Sequence, residues 1–164
     1  MRGALICCAL VVAPSAIAQT CALPTGEVRL STRRPAVDPD ARMTTGFGMR
    51  LHPLLNEQRM HTGIDWAAKL ASPVIAAAPG RVLEAGWKGQ YGKTVIIDHG
   101  GGLVTLYAHL HDIAVHAGDC VANGARIGGV GSTGLASMVA LHFEVQRNGT
   151  AVDPFTVAVV GIDP

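Results

Sequence analysis

A chain of 164 residues is enough for one domain and short for two. Its formal net charge of +1, with 15% charged residues, excludes the basic field of a nucleic-acid binder and the acidic tail of a solvating segment. Hydrophobic residues make up 49% but aromatics only 4%, and 20 Gly with 9 Pro predict short strands joined by tight turns rather than a helix bundle.

The first residues read as an address. Arg2 gives a positive start, residues 4–13 form an apolar run, Pro14-Ser15 breaks it, and Ala16-Ile17-Ala18 has the A-x-A form of a cleavage site. A signal peptide over residues 1–18, a mature chain from Gln19 and an exported protein, periplasmic or secreted, are expected. The run is shorter than the ~20 residues a membrane span needs, so the mature chain is expected to have none. The alternatives are a buried N-terminal strand, or a lipoprotein anchored at Cys21; Ala18-Gln19-Thr20 lacks the small and aliphatic residues expected before a lipidated Cys. Cys7 and Cys8 leave with the signal. An oxidising compartment then permits a bridge between Cys21 and Cys120 without requiring one.

Residues 19–42, with Pro24, Pro35 and Pro39 and no period, predict an extended N-terminal arm or linker before a domain over 43–164. Strand signals then follow closely: 72–78 (SPVIAAA), 81–85 (RVLEA), 93–98 (KTVIID), 103–109 (LVTLYAH) and 141–145 (LHFEV), each alternating or β-branched and bounded by Gly, Pro or Asp. A glycine turn at 100–102 links two of them. Residues 115–128 carry glycines between short apolar pairs, and no segment after 19 sustains a helical period. The fold is expected to be mainly β, an antiparallel sheet or sandwich.

Three places carry chemistry. In His61-Thr62-Gly63-Ile64-Asp65, an extended strand would put His61 and Asp65 on one face but about 13 Å apart, and Gly63 permits the bend that would close the gap. In Leu141-His142-Phe143-Glu144-Val145 the apolar residues share one face, so Ala140, His142 and Glu144 point the other way. His109 ends the strand that contains Tyr107. His111 and His116 read as surface residues and His99 as a turn residue, while His52 reads either way. Two His and one carboxylate leave the fourth position of a tetrahedral Zn²⁺ open, the catalytic arrangement, and no H-E-x-x-H helix is present.

From about Thr44 to Pro154 the sequence resembles the lysostaphin/LytM-like (M23) metallopeptidases. The likeness is carried by Gly46-Phe47-Gly48 with Arg50 and His52-Pro53, by His61 to Asp65, by Tyr91-Gly92, by Leu106-Tyr107-Ala108-His109-Leu110, by Gly131-Ser132-Thr133-Gly134 and by Leu141 to Val145. It implies a β fold of the lysostaphin/LytM-like, duplicated hybrid motif type with a groove over the metal. It also implies one zinc ion per chain on His61, Asp65 and His142. His109 would stabilise the attacked carbonyl or position water, and the substrates would be peptide cross-links or stem peptides of bacterial peptidoglycan, acted on by a monomer. One position departs from the pattern. The family's last motif reads H-x-H, and its first His, usually assigned as the catalytic base, is Ala140 here. A zinc metalloendopeptidase impaired at this step is therefore one reading. The alternative is a weak or inactive LytM-like domain that binds cell wall or regulates other wall hydrolases. A lipoyl- or biotinyl-type carrier would need a Lys at a hairpin tip, and the nearest candidate, Lys93, has the wrong neighbours.

Overall fold

The computed structural model describes residues 21–52 and 54–157. The expected signal peptide and its cleavage site, with Cys7 and Cys8, lie outside the described residues.

Among the described residues thirteen strands run in the order β1 (Arg42–Thr45), β2 (Gly48–Leu51), β3 (Gln58–His61), β4 (Ile64–Ala67), β5 (Pro73–Ile75), β6 (Gly80–Trp87), β7 (Lys93–Asp98), β8 (Leu103–Ala108), β9 (Asp112–Ile113), β10 (Cys120–Val121), β11 (Arg126–Gly129), β12 (Ala140–Arg147) and β13 (Thr150–Val152). The main sheet has the order β1-β4-β12-β8-β7-β6-β10, with β13 also on β12; β5-β11-β9 form a second sheet and β2-β3 a separate hairpin. Every pairing is antiparallel. The only helices among the described residues are two short 3₁₀ turns, at Gly89–Tyr91 and Pro154–Thr156. The largely antiparallel β fold predicted by alternation and glycine punctuation is the fold of the chain.

The core lies beneath the main sheet, where Ile64, Val95, Ile97, Tyr107, Leu141 and Phe143 are fully buried. β12 is buried on both faces from Ala140 to Val145, more than half-exposed alternation predicts. Its central position between β4 and β8 explains the difference.

His99 begins the 99–102 turn as expected, but its side chain is in the core and 0% exposed, a correction to the reading as a simple turn residue. Its Nδ1–H donates to the Pro79 carbonyl (2.8 Å), so Nε2 accepts from the Thr105 hydroxyl (2.7 Å). Thr105 then accepts from Tyr107 (3.0 Å), whose oxygen accepts from the Ala77 amide (2.9 Å). Every polar atom in this buried run has one role, and a second proton on His99 would break it. Burial lowers the His99 pKa below the ordinary 6.5, with the Pro79 carbonyl pulling the other way. The folded form thus prefers neutral His99. Its contribution to stability is whole above about 6.5 and is lost as pH falls through the depressed folded value. We expect the denaturant midpoint of the parent to drop more between pH 7 and 5 than that of His99→Gln; parallel pH profiles would contradict this.

The arm over residues 21–41 is extended, but it is a packed strap, not a loose linker. Leu30 and Ala36 are buried, the Ser31 amide donates to Ala77 O, the Ile75 amide donates to Pro35 O, and the Trp66 indole donates to Arg33 O. Gly100 and Gly101, both at positive φ, lie against the Pro24 and Gly26 carbonyls, where a Cβ would collide. Cys21 and Cys120 form a disulfide, with Cα atoms 5.5 Å apart and a sequence separation of 99. The bridge ties the arm to β10. Closing a loop of this length stabilises a fold by about 4–5 kcal/mol in the chain-entropy picture. Reduction, or Cys21→Ser, should lower the unfolding free energy by that order in urea titrations, and an unchanged midpoint would show that the strap holds without the bridge.

Candidate active site

His61 ends β3 and Asp65 lies in β4, and between them the chain turns from the hairpin into the main sheet at Thr62-Gly63. Gly63 makes that turn against β12, where an added Cβ would collide with the Phe143 carbonyl. The bend brings His61 Nε2 to 3.2 Å from Asp65 Oδ1. Register supplies the third residue, because His142 pairs with Asp65 across β12–β4. His142 Nδ1 lies 2.8 Å from Asp65 Oδ1 and 3.1 Å from His61 Nε2. Sequence separations of 77 and 81 thus collapse into one cluster.

The outer hydrogen bonds fix what these atoms are. His61 Nδ1 donates to the Gly46 carbonyl (2.7 Å), leaving Nε2 with a lone pair. His142 Nε2 donates to Glu144 Oε1 (3.0 Å), leaving Nδ1 with a lone pair. Two lone pairs and a carboxylate oxygen therefore face one another, an arrangement that needs a positive charge at its centre. Tetrahedral ligands about 2.0–2.2 Å from a cation lie roughly 3.3–3.6 Å apart, close to the spacings here. The three residues fit a metal ion.

Glu144, 1% exposed, was missed as a functional residue. It accepts from His142, from Thr62 Oγ1 and from Tyr91 Oη (2.7 Å). Burial opposes its charge, but the His142 and Thr62 hydrogen bonds outweigh burial and bring the carboxyl down to about 2. Burial also raises the Tyr91 phenol to about 12, so it remains a donor to Glu144. Asp65 is likewise penalised by burial, and its bonds to His142 and His61 hold it far below the usual carboxylate range. Burial disfavours charge on His142, yet Asp65 and Glu144 prevail and raise the ring to about 9, so without a cation a proton at Nδ1 supplies the positive charge, and a metal would have to displace it. The position of Glu144 two residues after His142, on the same strand face, was the one available signal; Thr62 and Tyr91 carried none. Because such outer carboxylates orient ligand imidazoles, Glu144→Gln should weaken metal affinity about 10–100-fold in competition with a chelator, and unchanged affinity would remove Glu144 from this role.

His109 leaves β8 at φ 60°, a left-handed conformation uncommon outside glycine. That twist turns its ring into the groove, with its centroid 5.8 Å from that of His142. Nδ1 donates to the Thr133 carbonyl (2.8 Å), so Nε2 keeps the lone pair. Burial lowers the pKa of His109 against the pull of that carbonyl, and the ring stays neutral at neutral pH. Ala140, 6% exposed, lines the same groove two residues before His142. The groove has a volume of about 380 Å³, and residues of the β2–β3 hairpin and of 135–138 are among those that line it. His111 and His116 are exposed, and His52 accepts from the Leu54 and Leu55 amides (3.3 Å each) at the hairpin end. Lys93 opens β7 and donates to His111 O (2.7 Å), not from a hairpin tip.

The profile of Peptidase family M23 matches residues 59–154, which hold the cluster, His109 and Ala140. The chain belongs to peptidase family M23. It is 46% identical over 118 residues to the DD-carboxypeptidase/endopeptidase Mpg of Neisseria meningitidis, covering 72% of this chain and 27% of that protein. It is 34% identical over 122 residues to the peptidoglycan DD-endopeptidase ShyA of Vibrio cholerae, covering 74% and 28%. A crystal structure of a zinc containing peptidase from Vibrio cholerae superposes with a TM-score of 0.72 at 30% identity, covering 80% of this chain and 41% of that one. This M23 chain thus spans about a quarter of the length of these curated relatives. Membership supports a metallopeptidase, and the donor cluster fits the metal such an enzyme uses.

Proposed function

We propose that this M23 protein is a zinc metalloendopeptidase acting on peptide cross-links or stem peptides of bacterial peptidoglycan. His61, Asp65 and His142 are its ligands for one zinc ion, and His109 acts at the attacked carbonyl or on the attacking water. The observation that carries the reading is the convergence of two ring nitrogens, His61 Nε2 and His142 Nδ1, on Asp65 Oδ1, with the other nitrogen of each ring already committed to Gly46 or Glu144. When bound, zinc would polarise the scissile carbonyl and acidify water. His109, neutral and with Nε2 free, is suited to accept a proton from water or to donate to the carbonyl oxygen once protonated. Glu144 holds the His142 tautomer. The wall-peptide substrate is supported by the names of the neisserial and Vibrio relatives, and export by the disulfide, since such bridges persist in oxidising compartments. No helix of the described residues is long and apolar enough to cross a membrane.

Ala140 favours a second reading. A methyl group stands in the groove where the family pattern has an imidazole, as in a domain that binds wall or regulates other wall hydrolases with little turnover of its own. Metal analysis tests the first reading at its base: the purified protein should hold about one zinc per chain, lost on chelation and regained on reloading. A protein that retains no zinc at micromolar supply would overturn it.

A further inference from the structure

We propose that Arg50 and Arg59 form a carboxylate subsite beside the three donor atoms, so that the groove selects peptides with a free carboxylate next to the bond to be cut. The inference deepens the peptidase reading above and rests on it.

The β2–β3 register sets Arg50 directly opposite Arg59. Alternation sends both to the half-buried face of the hairpin, while Met49 and Leu51 are exposed on the other. Like charges directly opposite one another destabilise an antiparallel pair, so the hairpin carries a cost that its own contacts do not offset. Arg59 Nε is 3.6 Å from the exposed Glu57, a weak partner. Arg50 Nη2 is 3.8 Å from Asp65 Oδ2, beyond hydrogen-bond distance, and Arg50 Nε is buried with no acceptor. The Arg50 side chain as a whole is 27% exposed, and its ion partner Asp65 stands too far off to fill the guanidinium's hydrogen bonds, so an acceptor entering from the groove fits beside it.

Both side chains line the groove, along with His61 and Asp65. A planar guanidinium matches a carboxylate in two parallel hydrogen bonds. The chain's net charge is only +1, so this positive patch is local and not part of a general affinity for anions. Arg50 sits against the far oxygen of Asp65, whose near oxygen is a donor of the cluster. A carboxylate held there therefore belongs to a residue adjoining the scissile bond, since consecutive Cα atoms are about 3.8 Å apart.

The test uses the zinc-loaded protein and two probes: an N-acetylated tripeptide ending in D-Ala-D-Ala with a free carboxylate, and the same peptide as its C-terminal amide. Calorimetric titration should show the acid binding about 10–100-fold more tightly than the amide. Arg59→Gln and Arg50→Gln, at unchanged zinc content, should bring the acid to the level of the amide, and Arg59→Lys should recover part of the difference. Equal binding of acid and amide by the parent overturns the subsite and leaves the peptidase reading standing. Binding of neither probe overturns the subsite, while the peptidase reading is judged separately by the zinc content of the same protein. Loss of zinc in Arg59→Gln would assign that arginine to the metal centre and also overturn the proposal.

Discussion

Ala140→His is expected to raise turnover of wall peptides within the 10²–10⁴-fold range of general acid–base assistance, at unchanged zinc content. Residue 140 opens β12 and lies two positions before His142, on the same face. Its amide donates to the Gly131 carbonyl (2.9 Å), so the backbone is anchored, and its side chain borders the groove and not the core. An imidazole there reaches toward attacking water without displacing His61, Asp65 or His142 as ligands. In barrier terms the missing base corresponds to about 3–5 kcal/mol. Just before it, the half-exposed Met138 also lines the groove and crowds the space an imidazole at 140 would use, so the lower part of the range is expected. Equal turnover by parent and Ala140→His, lost from both on His109→Ala, would show that His109 alone serves as the base.

His142→Ala should remove zinc from the protein, and His109→Ala should not. His142 supplies one of the three converging donor atoms and is buried between Asp65 and Glu144. Its loss should weaken zinc by more than the 10–100-fold typical of an outer partner and leave Glu144 without one of its donors. His109 makes no hydrogen bond to the cluster; its Nδ1 is bound to Thr133. Zinc content after dialysis against a competing chelator separates the two roles. If His142→Ala keeps zinc as tightly as the parent, the ligand assignment is wrong.

Legibility in the sequence followed the range of the interactions. Strands declared by alternation, such as β7 and β8, are local features and are where the pattern put them. The donor triad was named through the M23 resemblance; local pattern alone offered only a glycine between His61 and Asp65 and a His142 on the polar face of an apolar strand. Gly63 marked the bend, although its reason, the passing Phe143 carbonyl, lies 80 residues away in sequence. Glu144 was placed only on the strand face opposite the apolar residues, because its partners Thr62 and Tyr91 lie 82 and 53 positions away. His99 looked like a turn residue for the same reason: its partners Pro79 and Thr105 belong to other segments. The packed arm was hidden too, since strap-to-sheet bonds such as the one from Ile75 to Pro35 leave no period in the strap. The positive φ of His109 had no local mark at all.

The most direct measurement is the release of new amino termini from purified peptidoglycan by the zinc-loaded protein, the chelator-stripped protein and the reloaded protein, each as parent and as Ala140→His. The account predicts zinc-dependent release that is slow in the parent, faster in Ala140→His, absent after stripping and restored on reloading. Ala140→His protein that holds one zinc per chain and still releases no amino termini would contradict it.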